Sequence, residues 1–151
     1  MMHRFFSLYE NKNTDFSLVR ELLYEDGFEW LSPSGNLVGI QAFENSFNKL
    51  NKDWGHSHRP FEMTVKLIDE KKASLSFNYI YQHVQVGNIV LHAKGHYEIE
   101  CIDNGESFPR IQKCDLTLLE MIEVGGFVDM YEMNNTLFKD YKLKAEQIAK
   151  A

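Results

Sequence analysis

The sequence predicts an α+β domain, and three observations carry that prediction. Helical spacing dominates the first third of the chain. A two-residue alternation dominates most of the rest, with one short strand among the helices and a helical tail. Runs of helices followed by runs of strands favour α+β over a parallel α/β sheet. The alternating segments also outrun the usual strand of about 5–6 residues, so the sheet they form must twist and curl.

Residues 3–12 set Phe5, Phe6, Leu8 and Tyr9 near helical spacing, with Arg4, Glu10 and Lys12 elsewhere. Thr14 or Asp15 is placed to cap a second helix through Leu18, Val19, Leu22 and Leu23, which Asp26-Gly27 ends. Phe28 to Leu31 is a short strand, stopped by Ser32-Pro33-Ser34-Gly35. A third helix is expected from about Gly39 to Asn51, because Ile40, Phe43, Phe47 and Leu50 follow the spacing of one buried stripe.

After Trp54-Gly55 the period becomes two. Phe61, Met63, Val65 and Leu67 alternate with polar residues, and Asp69 to Lys72 is a charged turn. Ala73 to Tyr81 alternates in the same way. Gly87-Asn88 signals a hairpin, Ile89 to Ile99 alternates again, and Asp103-Asn104-Gly105 turns. Gly95, inside a strand, predicts a bend or bulge. A long strand is expected over about 108–120, and Gly125-Gly126 turns into a short edge strand over 127–133. Leu137, Tyr141, Ala145 and Ile148 place a last helix over about 135–151.

The chain has 151 residues, 44% hydrophobic and 13% aromatic, with no internal repeat or linker, which suits one domain spanning 1–151. No apolar run approaches the roughly 20 residues of a membrane span. The start carries no signal-peptide pattern, so a cytoplasmic protein is expected. A net charge of −6 argues against a nucleic-acid partner. Cys101 and Cys114 are too few for a disulfide framework or a zinc cage. No phosphate-binding glycine loop follows a strand, and no cofactor is expected.

The order of these segments resembles the nuclear transport factor 2-like superfamily, and within it the SnoaL-like and ketosteroid-isomerase-like branch. Residues 6–9 through Leu22-Leu23-Tyr24-Glu25-Asp26 resemble its opening helix pair. Ser32-Pro33-Ser34-Gly35 with Gly39-Ile40-Gln41-Ala42-Phe43 resembles its approach to the third helix, and Gly125 to Tyr131 resembles its closing strand. The likeness covers about residues 3–134. It implies a cone in which three helices pack on a strongly curved antiparallel sheet around an internal pocket, with the last helix as an addition. It also implies a small hydrophobic or cyclic ligand. The alternation leaves Ile80, Val84, Val90, Leu116 and Leu118 on the sheet's other face, which then needs a cover; the likeness implies a homodimer there, and the last helix is the competing cover.

Asp115 lies inside a strand, where carboxylates are depleted. The resemblance makes it the candidate catalytic residue, a general acid/base or a protonated hydrogen-bond donor. The competing reading places it on the outer face. If the chain is an enzyme, the resemblance implies lyase or isomerase chemistry (cyclase, isomerase or dehydratase type) without a metal; the alternative is a non-catalytic ligand-binding or dimeric interaction module. The steroid isomerase reaction itself is disfavoured, because Ser32 stands before Pro33 where that enzyme has its base, and Phe5 stands nearest its tyrosine.

His56 and His58 share a strand face, but no Cys or carboxylate completes a metal set, and both also read as loop histidines at a pocket rim. His83 or His92 with Asp115 would resemble a scytalone-dehydratase-like site. Phe5, Tyr9, Trp30, Phe43, Phe47, Trp54, Tyr79 and Tyr97, with His58, are the candidate ligand-binding wall; core packing is the competing reading for each.

Overall fold

The first helix, α1 (Met2–Glu10), exists because its apolar residues recur on one side: Met2, Phe5 and Phe6 are all buried. A computed structural model describes residues 1–11, 13–50, 54–85 and 88–122 of the chain. The second helix, α2 (Phe16–Arg20), is capped by Asp15, whose carboxylate accepts the Ser17 N–H at 2.8 Å. That bond holds the Asp15 carboxyl below its ordinary range.

The expected second helix reaches Leu23, but the observed one ends at Arg20. Leu22 and Leu23 are fully buried, and their backbone joins the sheet instead. The Ile111 N–H donates to the Leu22 carbonyl at 2.8 Å, and the Tyr24 N–H donates to the Ile111 carbonyl at 2.7 Å. Tertiary pairing there outweighs helical spacing.

Two short strands follow, β1 (Glu29–Ser32) and β2 (Gly35–Val38), joined as a hairpin across Pro33-Ser34. The sequence reading contained β1 but treated the segment after it only as a stop. Next comes α3 (Ile40–Asn48), approached through Gly39 at φ 83°, a backbone conformation that favours glycine. Then come four long strands: β3 (Trp54–Leu67), β4 (Lys72–Gln85), β5 (Asn88–Ile102) and β6 (Arg110–Met121). β3 includes His56 and His58, so both are strand residues and not loop histidines.

The sheet runs β2-β1-β6-β5-β4-β3, curled and unclosed. All pairings are antiparallel except β1 with β6. Register shifts interrupt it between Phe61 and Thr64, at His83/Val84, at Lys94/Gly95 and at Glu100/Cys101. Bulges bend and over-twist a strand, which is how strands of 12–15 residues curl. Gly95 therefore sits at a bulge, as its mid-strand position predicted.

The concave face carries Leu75, Phe77 and Tyr79 of β4, Tyr97 and Ile99 of β5, and Cys114 of β6, all buried. The helices lay Phe5, Phe6 and Phe43 on this face, and Trp30 of β1 joins them, 4.9 Å from the Phe43 ring. Burial pushes the Cys101 thiol up to about 11 and the Cys114 thiol well above its usual range, so both are core thiols. Leu116 and Leu118, assigned from the alternation to the outer face, lie with Cys114 on the inner one.

Asp115 requires the opposite correction. Its neighbours Cys114 and Leu116 point inward, so the pleat turns the carboxylate outward, where it pairs in register with Glu98 and is exposed. The expected strand over 127–133 and last helix over 135–151 lie outside the described residues. No described helix is long and apolar enough to cross a membrane.

Candidate functional site

Between the concave sheet and the helices lies a cavity of about 300 Å³. Tyr9 of α1, Trp30 and Ser32 of β1, and the Pro33-Ser34 turn form one side. His56, His58, Tyr79, Tyr81 and Tyr97 of β3 to β5 form the other, and Leu50, Leu91, Leu116 and Leu118 complete the lining. A small, mostly apolar cavity with a few convergent polar groups is the usual form of a small-ligand site.

The polar centre of the cavity is His58. Its side chain is 6% exposed, against 24% for its partner Glu10. Glu10 Oε1 lies 2.9 Å from His58 Nδ1 and also accepts the His58 backbone N–H at 2.5 Å. A carboxylate is acceptor-only, so Nδ1 carries the hydrogen it meets, and in the neutral ring Nε2 is then the basic nitrogen. Among the described residues nothing hydrogen-bonds to Nε2. The pair has the arrangement of a base and its orienting carboxylate.

Helix geometry makes this pair. Phe6 and Glu10 are four residues apart on α1 and so lie over one another. The Phe6 ring stacks on the His58 imidazole at 4.6 Å and 10° while Glu10 takes its Nδ1. Glu10 ends the helix, where the macrodipole disfavours a negative charge by about 0.3–1 kcal/mol. The bonds from His58 offset that cost.

The phenols around His58 stay protonated. Burial pushes the Tyr9 hydroxyl up to about 12 and raises those of Tyr79, Tyr81 and Tyr97 further. Each is therefore a neutral hydrogen-bond donor at any physiological pH. Tyr81 Oη meets His56 Nδ1 at 2.8 Å, and the His56 ring stacks on His83 at 4.9 Å. Burial lowers the pKa of His83.

The structure thus brings Tyr9, Trp30, His58, Tyr79 and Tyr97 together around the cavity. Phe5 and Phe43 are core residues that support Tyr9 and Trp30 from behind, and Phe47 packs beside Tyr9 at 5.8 Å. The Trp54 side chain lies outside the described residues. Asp115 is not in the lining, and His92 pairs with Gln82 on the outer face, so neither histidine–Asp115 pairing forms. His56, Tyr81 and the serine turn join the lining beyond the wall that the sequence pointed to, and Glu10 is a further site residue that the sequence analysis does not reach. The available signal was a carboxylate at the unfavourable end of a helix, four residues after a buried Phe.

No protein-family model matches the sequence, and no curated protein matches it. Solved structures do match the architecture. A provisionally named scytalone dehydratase from Novosphingobium aromaticivorans superposes with a TM-score of 0.69 at 13% identity, covering 80% of each chain. A nuclear transport factor 2-like superfamily protein from Salmonella enterica gives 0.67 at 14% identity, over 84% of this chain and 92% of that one. The fold is the nuclear transport factor 2-like cone. A provisionally named dehydratase of the same family from Streptomyces avermitilis gives 0.67 at 10% identity, over 79% and 92%. At such identities the likeness concerns the fold, and the chemistry of this cone has to come from its own residues.

Proposed function

We propose that this chain binds a small, largely apolar cyclic molecule inside the cone and performs acid/base chemistry on it, of the lyase or isomerase type. The observation that carries the reading is the Glu10–His58 pair at the cavity wall, 2.9 Å apart, set among phenols held neutral by burial. His58 Nε2 takes a proton from a carbon of the ligand. Glu10 orients the ring and stabilises the imidazolium that results, and Tyr9, Tyr79 or Tyr97 donates to the oxygen on which charge develops. The two neighbours that bear dehydratase names support the lyase branch. His58 with Glu10 takes the place that Asp115 holds in the sequence reading. A ligand carrier without catalysis is the alternative, favoured by the outward position of Asp115. Self-association belongs to the same proposal: Leu119 and Met121 at the end of β6 are 52% and 57% exposed.

Two probes test it. Binding of 2-naphthol is followed by quenching of tryptophan fluorescence, since Trp30 lines the cavity. Exchange of the α-hydrogens of 2-tetralone for deuterium is followed by NMR. The proposal expects saturable binding and exchange above the buffer rate, with exchange lost in His58→Gln while binding remains. Binding with no exchange leaves the carrier reading, and absence of both overturns the ligand site. Native mass spectrometry of the same sample reads the oligomer.

A further inference from the structure

Gly95 is a glycine with an unusual reason for being one. Gly35, Gly39 and Gly105 have positive φ, and a methyl group added to any of them meets nothing within 4 Å. Gly95 does not share that backbone conformation. A methyl group added there falls 2.5 Å from Tyr79 Cε1 and nearer still to its Cζ and Oη. Tyr79 is the residue directly opposite Gly95 in the β4–β5 register, so its side chain leans across the neighbouring strand and rests its hydroxyl end on bare backbone. The same glycine pairs on its other side with Leu118 at the β5–β6 bulge, and Leu118 and Tyr79 both line the cavity.

The position of that ring shapes the site. Its centroid lies 4.7 Å from Tyr97 and 5.6 Å from His58. A ring resting on the sheet cannot move further toward it. Any side chain at residue 95 therefore lifts Tyr79 away from β5 and into a space of about 300 Å³. Both consequences act on a ligand: one hydrogen-bond donor moves relative to His58, and the room beside it shrinks.

We propose that Gly95 is the positioning residue of the cavity: its missing side chain seats the Tyr79 phenol against β5, and thereby sets where a ligand oxygen is met and how large a ring is admitted. This rests on the reading of the cavity as a ligand site, but its effect on Tyr79 is separately measurable. Gly95 touches neither the base nor the ligand; it acts through Tyr79.

The test is a double-mutant cycle of Gly95→Ala and Tyr79→Ala, read with 2-naphthol binding and with the ¹³Cζ resonances of labelled tyrosine. The Tyr79 resonance is identified by its loss in Tyr79→Phe. Gly95→Ala is expected to weaken 2-naphthol binding by about tenfold in the native background. In the Tyr79→Ala background it is expected to change binding by less than about twofold, because the clash is gone. In Gly95→Ala the Tyr79 resonance is expected to shift at neutral pH, because the phenol leaves the β5 backbone for the open cavity. Equal losses in both backgrounds, or an unmoved Tyr79 resonance in a folded Gly95→Ala chain, overturns the proposal. If Gly95→Ala alone fails to fold, the double variant is expected to recover the fold, and its failure to do so counts equally against the seat. Absence of 2-naphthol binding by the native chain strikes the ligand site, while the Tyr79 resonance in Gly95→Ala still decides whether Gly95 seats that phenol.

Discussion

The same sheet carries two histidine–glutamate pairs, one on each face. Inside, His58 Nδ1 meets Glu10 at 2.9 Å with side chains 6% and 24% exposed. Outside, His96 Nε2 meets Glu98 at 2.8 Å with side chains 29% and 57% exposed. The outer pair also binds Ser76 and, through Asn78, reaches Glu62 at the β3 bulge. The distances are nearly equal, so the chemistry of contact does not separate them. Surroundings do: His58 is stacked on Phe6 and ringed by phenols at a cavity, whereas the His96 side chain, on the other sheet face, is 29% exposed and does not line that cavity. A histidine–carboxylate contact becomes a candidate reaction centre through desolvation and an adjoining space for a reacting molecule.

The comparison breaks first, and with the largest effect, at the ring that excludes water from the inner pair. Phe6 is 3% exposed and contacts Phe77 and Tyr97 as well as His58. Phe6→Ala is expected to cost about 3–5 kcal/mol in chemical denaturation, as deletion of a core aromatic usually does. A cost near zero would mean that α1 is not seated on the sheet as described. Glu10→Gln is next. It removes a charge-assisted bond from a shielded site, and a loss of about 1–2 kcal/mol is expected, together with loss of 2-tetralone exchange.

These two residues also show what was legible in the sequence. The helix-then-strand order, the alternation on β4 and β5 and the aromatic wall were readable, because burial leaves its period in the chain. Tyr9, Trp30, His58, Tyr79 and Tyr97 followed from it. Asp115 did not, because its face depends on a register that the bulges reset, and alternation counted across a bulge changes sign. Leu116 and Leu118 were misplaced for the same reason. Glu10 was hidden because its partner lies on β3, 48 residues away, and neither residue reveals the other.

The outer pair supplies the smaller effects. Hydrogen bonding to His96 holds the Glu98 carboxyl below the ordinary carboxylate range, with help from Ser76. A carboxyl depressed on folding contributes stability that is complete above its unfolded value and fades as pH falls through its folded value. Glu98→Gln is therefore expected to flatten part of the acid limb of a stability–pH curve while leaving stability at pH 7 changed by less than about 1 kcal/mol, since the pair is well exposed. A large loss at neutral pH would show that the outer pair is as shielded as the inner one. Asp115→Asn closes the series. Stability within about 0.5 kcal/mol of the native chain and unchanged 2-naphthol binding are expected, because the side chain is exposed and faces away from the cavity.

The inner pair can be observed directly in the ¹⁵N spectrum of the histidine rings. In its neutral form the His58 ring is expected to show one fixed tautomer, with its hydrogen on Nδ1, which Glu10→Gln releases into a mixture. A neutral His58 ring with its hydrogen on Nε2, or one already averaging between tautomers in the native chain, would contradict the assignment of His58 as the oriented base of this cavity.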